Sequence, residues 1–226
     1  MSEPPPTQPA VVVRRGRLAL ELVAVLLIVW LPYVLAAFAG RQSGGYQGWK
    51  AELRGVGIQT GFVALILILL RWNRESWRRL GIRRFRWWAE LLWAALLYIA
   101  CWINWLVLDR MLPVPVEPPA AAPVDPPETP SWLLFAPILL VNSIFEEVFV
   151  RGYLWDRLRR LTGSPMLALG GSALLFTAYH PYSLRDLASI FVFGLILGYA
   201  FMHGRSLPRL IVAHTLFNLS IIFGWA

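Results

Sequence analysis

Polar material is scarce in this chain. Of 226 residues only 15% are charged, with three histidines, one cysteine, and 13 acidic side chains against 21 Lys and Arg. The single thiol, Cys101, excludes an intrachain disulfide and any cysteine metal cluster, and within an apolar stretch it reads as a small filler. No period-2 alternation bounded by turns recurs, which excludes a transmembrane β-barrel. No His-Glu-x-x-His helix is present, and no internal or inverted repeat of the kind that builds many transporters is evident.

Hydrophobic residues are what the chain has in quantity: 58% of the total, 12 tryptophans, and a mean hydropathy of +0.57, far outside the soluble globular range. Apolar segments run from Leu18 to Ala39, Val56 to Leu70, Trp87 to Leu108, Trp132 to Val150, Met166 to Tyr179, Leu187 to Met202 and Leu207 to Trp225. The expected fold is all-α, a polytopic membrane bundle of about seven transmembrane helices. Crossing the hydrocarbon core takes about 17 to 25 residues, so the second, fifth and sixth segments are expected to be tilted, broken or extended by polar ends. Arg14, Arg15 and Arg17 before the first segment and Ala37-Phe38-Ala39 after it resemble a signal peptide. Its apolar run exceeds the usual length of one, so it is read as an uncleaved anchor.

Lys and Arg accumulate on the cytoplasmic side of membrane proteins. With the N-terminus inside, that side holds Arg14, Arg15 and Arg17, the group from Arg71 to Arg86, then Arg151, Arg157, Arg159, Arg160, Arg205 and Arg209. Only Arg41, Lys50, Arg54, Arg110 and Arg185 remain outside. A bacterial-type cytoplasmic membrane with the N-terminus cytoplasmic is the expected location. The +8 charge is spread over loops beside apolar spans, which points to lipid headgroups as partners and not to nucleic acid. Trp72, Trp77, Trp87 and Trp88 flank the second basic loop as an interfacial aromatic belt would.

Four regions follow from composition. Residues 1–13, with four prolines, read as a disordered cytoplasmic tail. Residues 14–111 carry the anterior helices, in which Glu21 and Asn104 read as interfacial or interhelical. Residues 112–130 hold eight of the 17 prolines together with Glu117, Asp125 and Glu128, an acidic tether. Residues 131–226 carry the unusual polar side chains.

Glu146 and Glu147 lie at the end of an apolar stretch, where one carboxylate costs about 2.5 to 3.5 kcal/mol on insertion scales. Glu147 and Arg151 have i, i+4 spacing with acid before base, which suits an ion pair and leaves Glu146 on another face for chemistry. Beyond Arg151 the helix continues with Leu154, Leu158 and Leu161 at helical spacing until Thr162-Gly163-Ser164-Pro165 stops it, which makes an antiparallel hairpin with the next span. Glu146 and His180 lie equally far from Gly163, so they meet at one depth. Phe176 with His180, and His214 with Asn218, share helical faces and can project into one cavity. A buried Glu and a His can activate water, and His214 with Asn218 can stabilise an oxyanion. Taken singly, each motif also has an ordinary structural explanation as a Glu-Arg bridge, a helix-end His or an interhelical polar pair.

Glu146-Glu147-Val-Phe-Val-Arg151 as EExxxR, Phe176-Thr-Ala-Tyr-His180 as FxxxH and His214-Thr-Leu-Phe-Asn218 as HxxxN resemble the motifs of the CPBP intramembrane proteases. That family includes type II CAAX prenyl endopeptidases and bacteriocin-processing, Abi-like proteins. A weaker motif is matched by Phe193-Gly194 and Gly198. The resemblance covers Trp132 to Asn218 and implies an endopeptidase whose Glu146 and His180 activate water, with His214 and Asn218 serving the oxyanion and Arg151 supporting Glu147. The implied substrate is a membrane-associated peptide or protein, prenylated or not. No cofactor is expected. Were zinc used, Glu146, His180 and His214 would be its ligands, although Asn218 is an unusual companion for it. The competing functions are a non-enzymatic immunity or scaffold protein that holds a peptide in the same cavity, and an ion-coupled transporter.

Overall fold

A backbone surrounded by hydrocarbon must satisfy its own N–H and C=O groups, and an open chain does so only as helix. The computed structural model describes residues 15–38, 49–82, 86–112 and 132–222, and every regular element within them is helical. In order these are α1 (Arg15–Val25), a π segment (Leu26–Trp30) and α2 (Leu31–Phe38), then α3 (Trp49–Trp72), a 3-10 turn (Trp77–Leu80) and α4 (Trp87–Met111). The posterior half holds α5 (Trp132–Glu147), a second π segment (Val148–Leu154), α6 (Trp155–Thr162), α7 (Pro165–Thr177), α8 (Leu184–Gly204) and α9 (Leu207–Ile222). Taken through the π segments, these are seven helical runs at the seven expected places.

Four of them, Arg15–Ala36, Trp49–Trp72, Trp87–Met111 and Leu184–Gly204, are long and apolar enough to cross a membrane. Two segments expected to be short are therefore full length, extended at their polar ends to 24 and 21 residues. The fifth does stay short, at 13 residues. The tail at 1–13 and the Pro-rich stretch 113–130 lie outside the described residues, as do Arg83 and Arg84.

Local sequence closes the turns where it was expected to. Gly163, at φ 76°, ends α6, while Ser164 Oγ accepts from the Leu167 N–H at 3.2 Å and Pro165 opens α7. Between α8 and α9 the left-handed residue is Arg205, at φ 48°, a conformation that costs a non-glycine residue free energy. Its guanidinium offsets that cost by donating to Arg79 O at 2.7 Å and lying over the Trp155 and Phe201 rings. α7 and α8 meet through glycines. A Cβ on Gly198 would lie 2.5 Å from Leu169 Cδ1, and one on Gly194 3.2 Å from Ala173 Cβ, so both positions demand small residues. α9 packs against both α4 and α5, and α3 lies against α5.

The interior is centred on the π segment Val148–Leu154, of which every residue is buried. Leu80, fully buried, wedges against it where Gly152 leaves room; a Cβ there would sit 2.8 Å from Leu80 Cδ2. Arg151 and Arg157 were expected among loop charges, but each is only 1% exposed. The reason is local pairing. Arg157 donates to Glu21 at 3.0 Å and to Glu75 at 2.8 Å, and Glu75 is also paired with Arg160 and Arg79. Glu21 accepts from Tyr153 Oη as well, and Asn104 donates to Ser189 O and Oγ, so both anterior polar residues are interhelical as expected. Trp72, Trp77, Trp87 and Trp88 are exposed, as a belt requires.

Arg157→Leu should cost about 3 to 5 kcal/mol of stability in detergent thermal melts, because it leaves Glu21 and Glu75 buried without their shared cation. Exposed Arg159→Leu should change little. Burial alone would raise the Glu75 carboxyl, but the Arg157 and Arg160 guanidiniums outweigh it and hold Glu75 below the usual carboxylate range. The stability this group contributes is therefore complete above its unfolded pKa and lost as pH falls through the lowered folded value. Melts between pH 7 and 3 should show a decline confined to the acid end, and reduced in Glu75→Gln.

Candidate active site

Ionic groups withdrawn from water must find opposite charge, as one does at the end of α5. Glu147 is fully buried, and its Oε1 accepts from Arg151 Nη1 at 2.7 Å, the expected i, i+4 pair. Arg151 also donates to Gly194 O at 3.4 Å and lies 4.8 Å over the Phe176 ring. The same Glu147 oxygen contacts His214 Nδ1 at 2.8 Å. Glu146, on the neighbouring face, meets His214 Nε2 at 3.3 Å through Oε2 and accepts from Tyr179 Oη at 3.1 Å through Oε1.

His214 thus bridges the two carboxylates, with Nδ1 toward Glu147 and Nε2 toward Glu146.

His180 enters from the turn after α7. Pro181 disfavours helix at the residue before it, and α7 ends at Thr177, so Tyr179 and His180 lie in a turn closed by His180 N–H to Thr177 O. His180 Nδ1 contacts Phe176 O at 2.8 Å; since a carbonyl only accepts, Nδ1 carries the hydrogen and Nε2 presents a lone pair. The Phe176 ring touches both imidazoles, 5.0 Å from His180 and 6.2 Å from His214. The Phe176–His180 contact expected from a helical face is therefore made through a turn.

Glu146 makes no direct hydrogen bond to His180; its partners are His214 and Tyr179. Both nitrogens of His214 face carboxylates. Asn218, one turn further along α9, is half-buried and makes no hydrogen bond among the described residues. Glu146, His180 and His214 do not converge as a ligand set, and no group of three such side chains among the described residues could hold a metal ion.

The polar groups of the site contact one another directly. One cavity, of about 410 Å³, lies between α3 and α5 at Trp49, Leu53, Val56, Pro137, Ile138 and Val141. Another, of about 740 Å³, lies among α4, α7, α8 and α9 and reaches His203 and Arg209. Neither is lined by a motif residue. Sequence reasoning missed Tyr179, which sits inside the FxxxH pattern as an unassigned position, and the anterior contribution to the site. Tyr33 of α2 stacks on Phe145 at 5.8 Å and meets Tyr179 at 5.9 Å, and Gln59 of α3 donates to Asn142 at 2.7 Å. An isolated Tyr and an isolated Gln in apolar spans were the available signals.

Fold and site together define a helical membrane protein with a buried polar centre in its posterior half. Residues 128–220 match the model of the family described as type II CAAX prenyl endopeptidase Rce1-like. No curated protein and no solved structure matches the chain. All three polar motifs fall inside the matched residues, which bears out the resemblance. This segment is similar to CAAX-type proteases, and the chain is an integral membrane protein.

Arg151→Leu should lower stability by about 3 to 5 kcal/mol, since Glu147 would be left buried without its guanidinium. Glu147→Gln combined with Arg151→Leu should recover most of the loss in the same thermal melts. A double variant no more stable than Arg151→Leu alone would show that the pair is not what the cost reflects.

Proposed function

We propose that this chain is an intramembrane endopeptidase that hydrolyses a peptide bond in a membrane-associated protein or peptide, with a prenylated C-terminal tail as the first substrate to test. The observation that carries this is the setting of Glu146: a buried carboxylate with no guanidinium of its own, in contact with His214 and Tyr179 beside His180, whose Nδ1 is tied to the Phe176 carbonyl. A group that only held helices together would be answered as Glu147 is.

As a carboxylate, Glu146 takes a proton from water. His180 Nε2 is a second acceptor for that water and orients it. Hydroxide equivalent adds to the scissile carbonyl, and the developing oxyanion takes hydrogen bonds from Asn218, whose amide is uncommitted, and from His214 once substrate separates it from Glu146. The proton collected by Glu146 passes to the leaving amine as the C–N bond breaks. Glu147 and Arg151 hold His214 in the tautomer this requires.

Purified full-length protein in detergent should cleave a fluorogenic peptide ending in a farnesylated C-a-a-X sequence. Glu146→Gln and His180→Ala should each reduce that rate at least 100-fold while eluting as the parent does in size exclusion. Retention of parental activity by either folded variant sinks the mechanism. An inert parent rejects the prenylated substrate, and a comparison of membrane proteomes from cells carrying the parent or Glu146→Gln would then reveal the precursor that accumulates.

A further inference from the structure

The FxxxH motif assigns chemistry to its first and last residues, but the side chain touching the largest share of the site is the one before the histidine. Tyr179 is buried at 7% exposure. Its hydroxyl donates to Glu146 Oε1, and its ring stacks on His180 with centroids 4.5 Å apart and planes at 24°. Tyr33 meets its ring from the anterior half, and Phe176 packs edge-on at 5.8 Å.

That arrangement is not available on a helix, where consecutive side chains point about 100° apart. It exists because Pro181 ends the helical geometry at Ala178, which lets Tyr179 and His180 lie face to face. His180 is also stacked with Tyr182 at 5.7 Å. The run Tyr-His-Pro-Tyr thus gives the imidazole two phenol neighbours, while its Nδ1 is tied to Phe176 O.

We propose that Tyr179 is a positioning residue for both members of the water-activating pair. This rests on the reading of Glu146 and His180 given above. The hydroxyl fixes Oε1 of Glu146, which directs Oε2 to His214; the ring fixes the plane of His180, which directs Nε2 to the same side as Glu146. A carboxylate with only His214 to hold it could turn either oxygen toward that ring. A histidine in a turn without ring neighbours could rotate about its side-chain bonds. One tyrosine removes both freedoms. The charged and titratable groups facing Glu146 are His214 from α9, Glu147 and Arg151 from its own run, Tyr33 from α2, and Tyr179, His180 and Tyr182 from the turn after α7. Only Tyr179 touches Glu146 and stacks on His180.

The test uses full-length protein with Tyr179→Phe, which keeps the ring, and Tyr179→Leu, which removes ring and hydroxyl. On the farnesylated fluorogenic peptide, Tyr179→Phe should lower kcat about tenfold with KM within twofold, and Tyr179→Leu should lower kcat about 100-fold. A second readout needs no substrate. The infrared carboxyl stretch that vanishes in Glu146→Gln should shift in Tyr179→Phe, because its hydrogen-bond donor is gone. Parental kcat in Tyr179→Phe, or an unmoved Glu146 band, overturns the proposal. If Glu146→Gln itself remains active, the proposed function fails, and the infrared band alone then decides whether Tyr179 positions the carboxylate.

Discussion

The ion pair between Glu147 and Arg151 is the constraint around which the posterior half is arranged. A carboxylate and a guanidinium this far from water are tolerable only at close range and with their remaining donors used. Arg151 therefore reaches on to Gly194 O and the face of Phe176, and Glu147 reaches across to His214. One pair thus fixes α5 against α8 and α9, and the imidazole it captures is the one that meets Glu146. The glycines of α8 serve the same centre, since any larger residue at Gly194 would push α8 away from α7 and from Arg151.

Much of this was legible in the sequence because a membrane offers few alternatives. Seven helical runs, the hairpin at Gly163 and the Glu147–Arg151 pair all follow from hydropathy, turn residues and i, i+4 spacing. What sequence did not disclose was the π segment Val148–Leu154, whose wider turn has no compositional signature. Nor did it disclose that Arg151 and Arg157 are buried, because positive charge near the end of an apolar run reads as interfacial until the partners are known. Glu21 and Glu75 come from sequence-distant helices and loops. The pairing of Glu146 with His214 in preference to His180 was equally hidden, since it depends on which ring edge the Phe176 carbonyl and the phenol rings leave free.

The family likeness stops at residue 128, but the physical unit does not. Tyr33 covers Phe145 and Tyr179, Glu21 and Glu75 neutralise Arg157, and Leu80 fills the notch at Gly152. A polypeptide begun at residue 128 would carry every motif and still leave Arg157 with Asp156 alone of its carboxylate partners and the notch at Gly152 unfilled. The anterior helices, which share no motif with any catalytic pattern, are in that sense the missing wall of the chamber, and the motif-bearing segment is not an autonomous module.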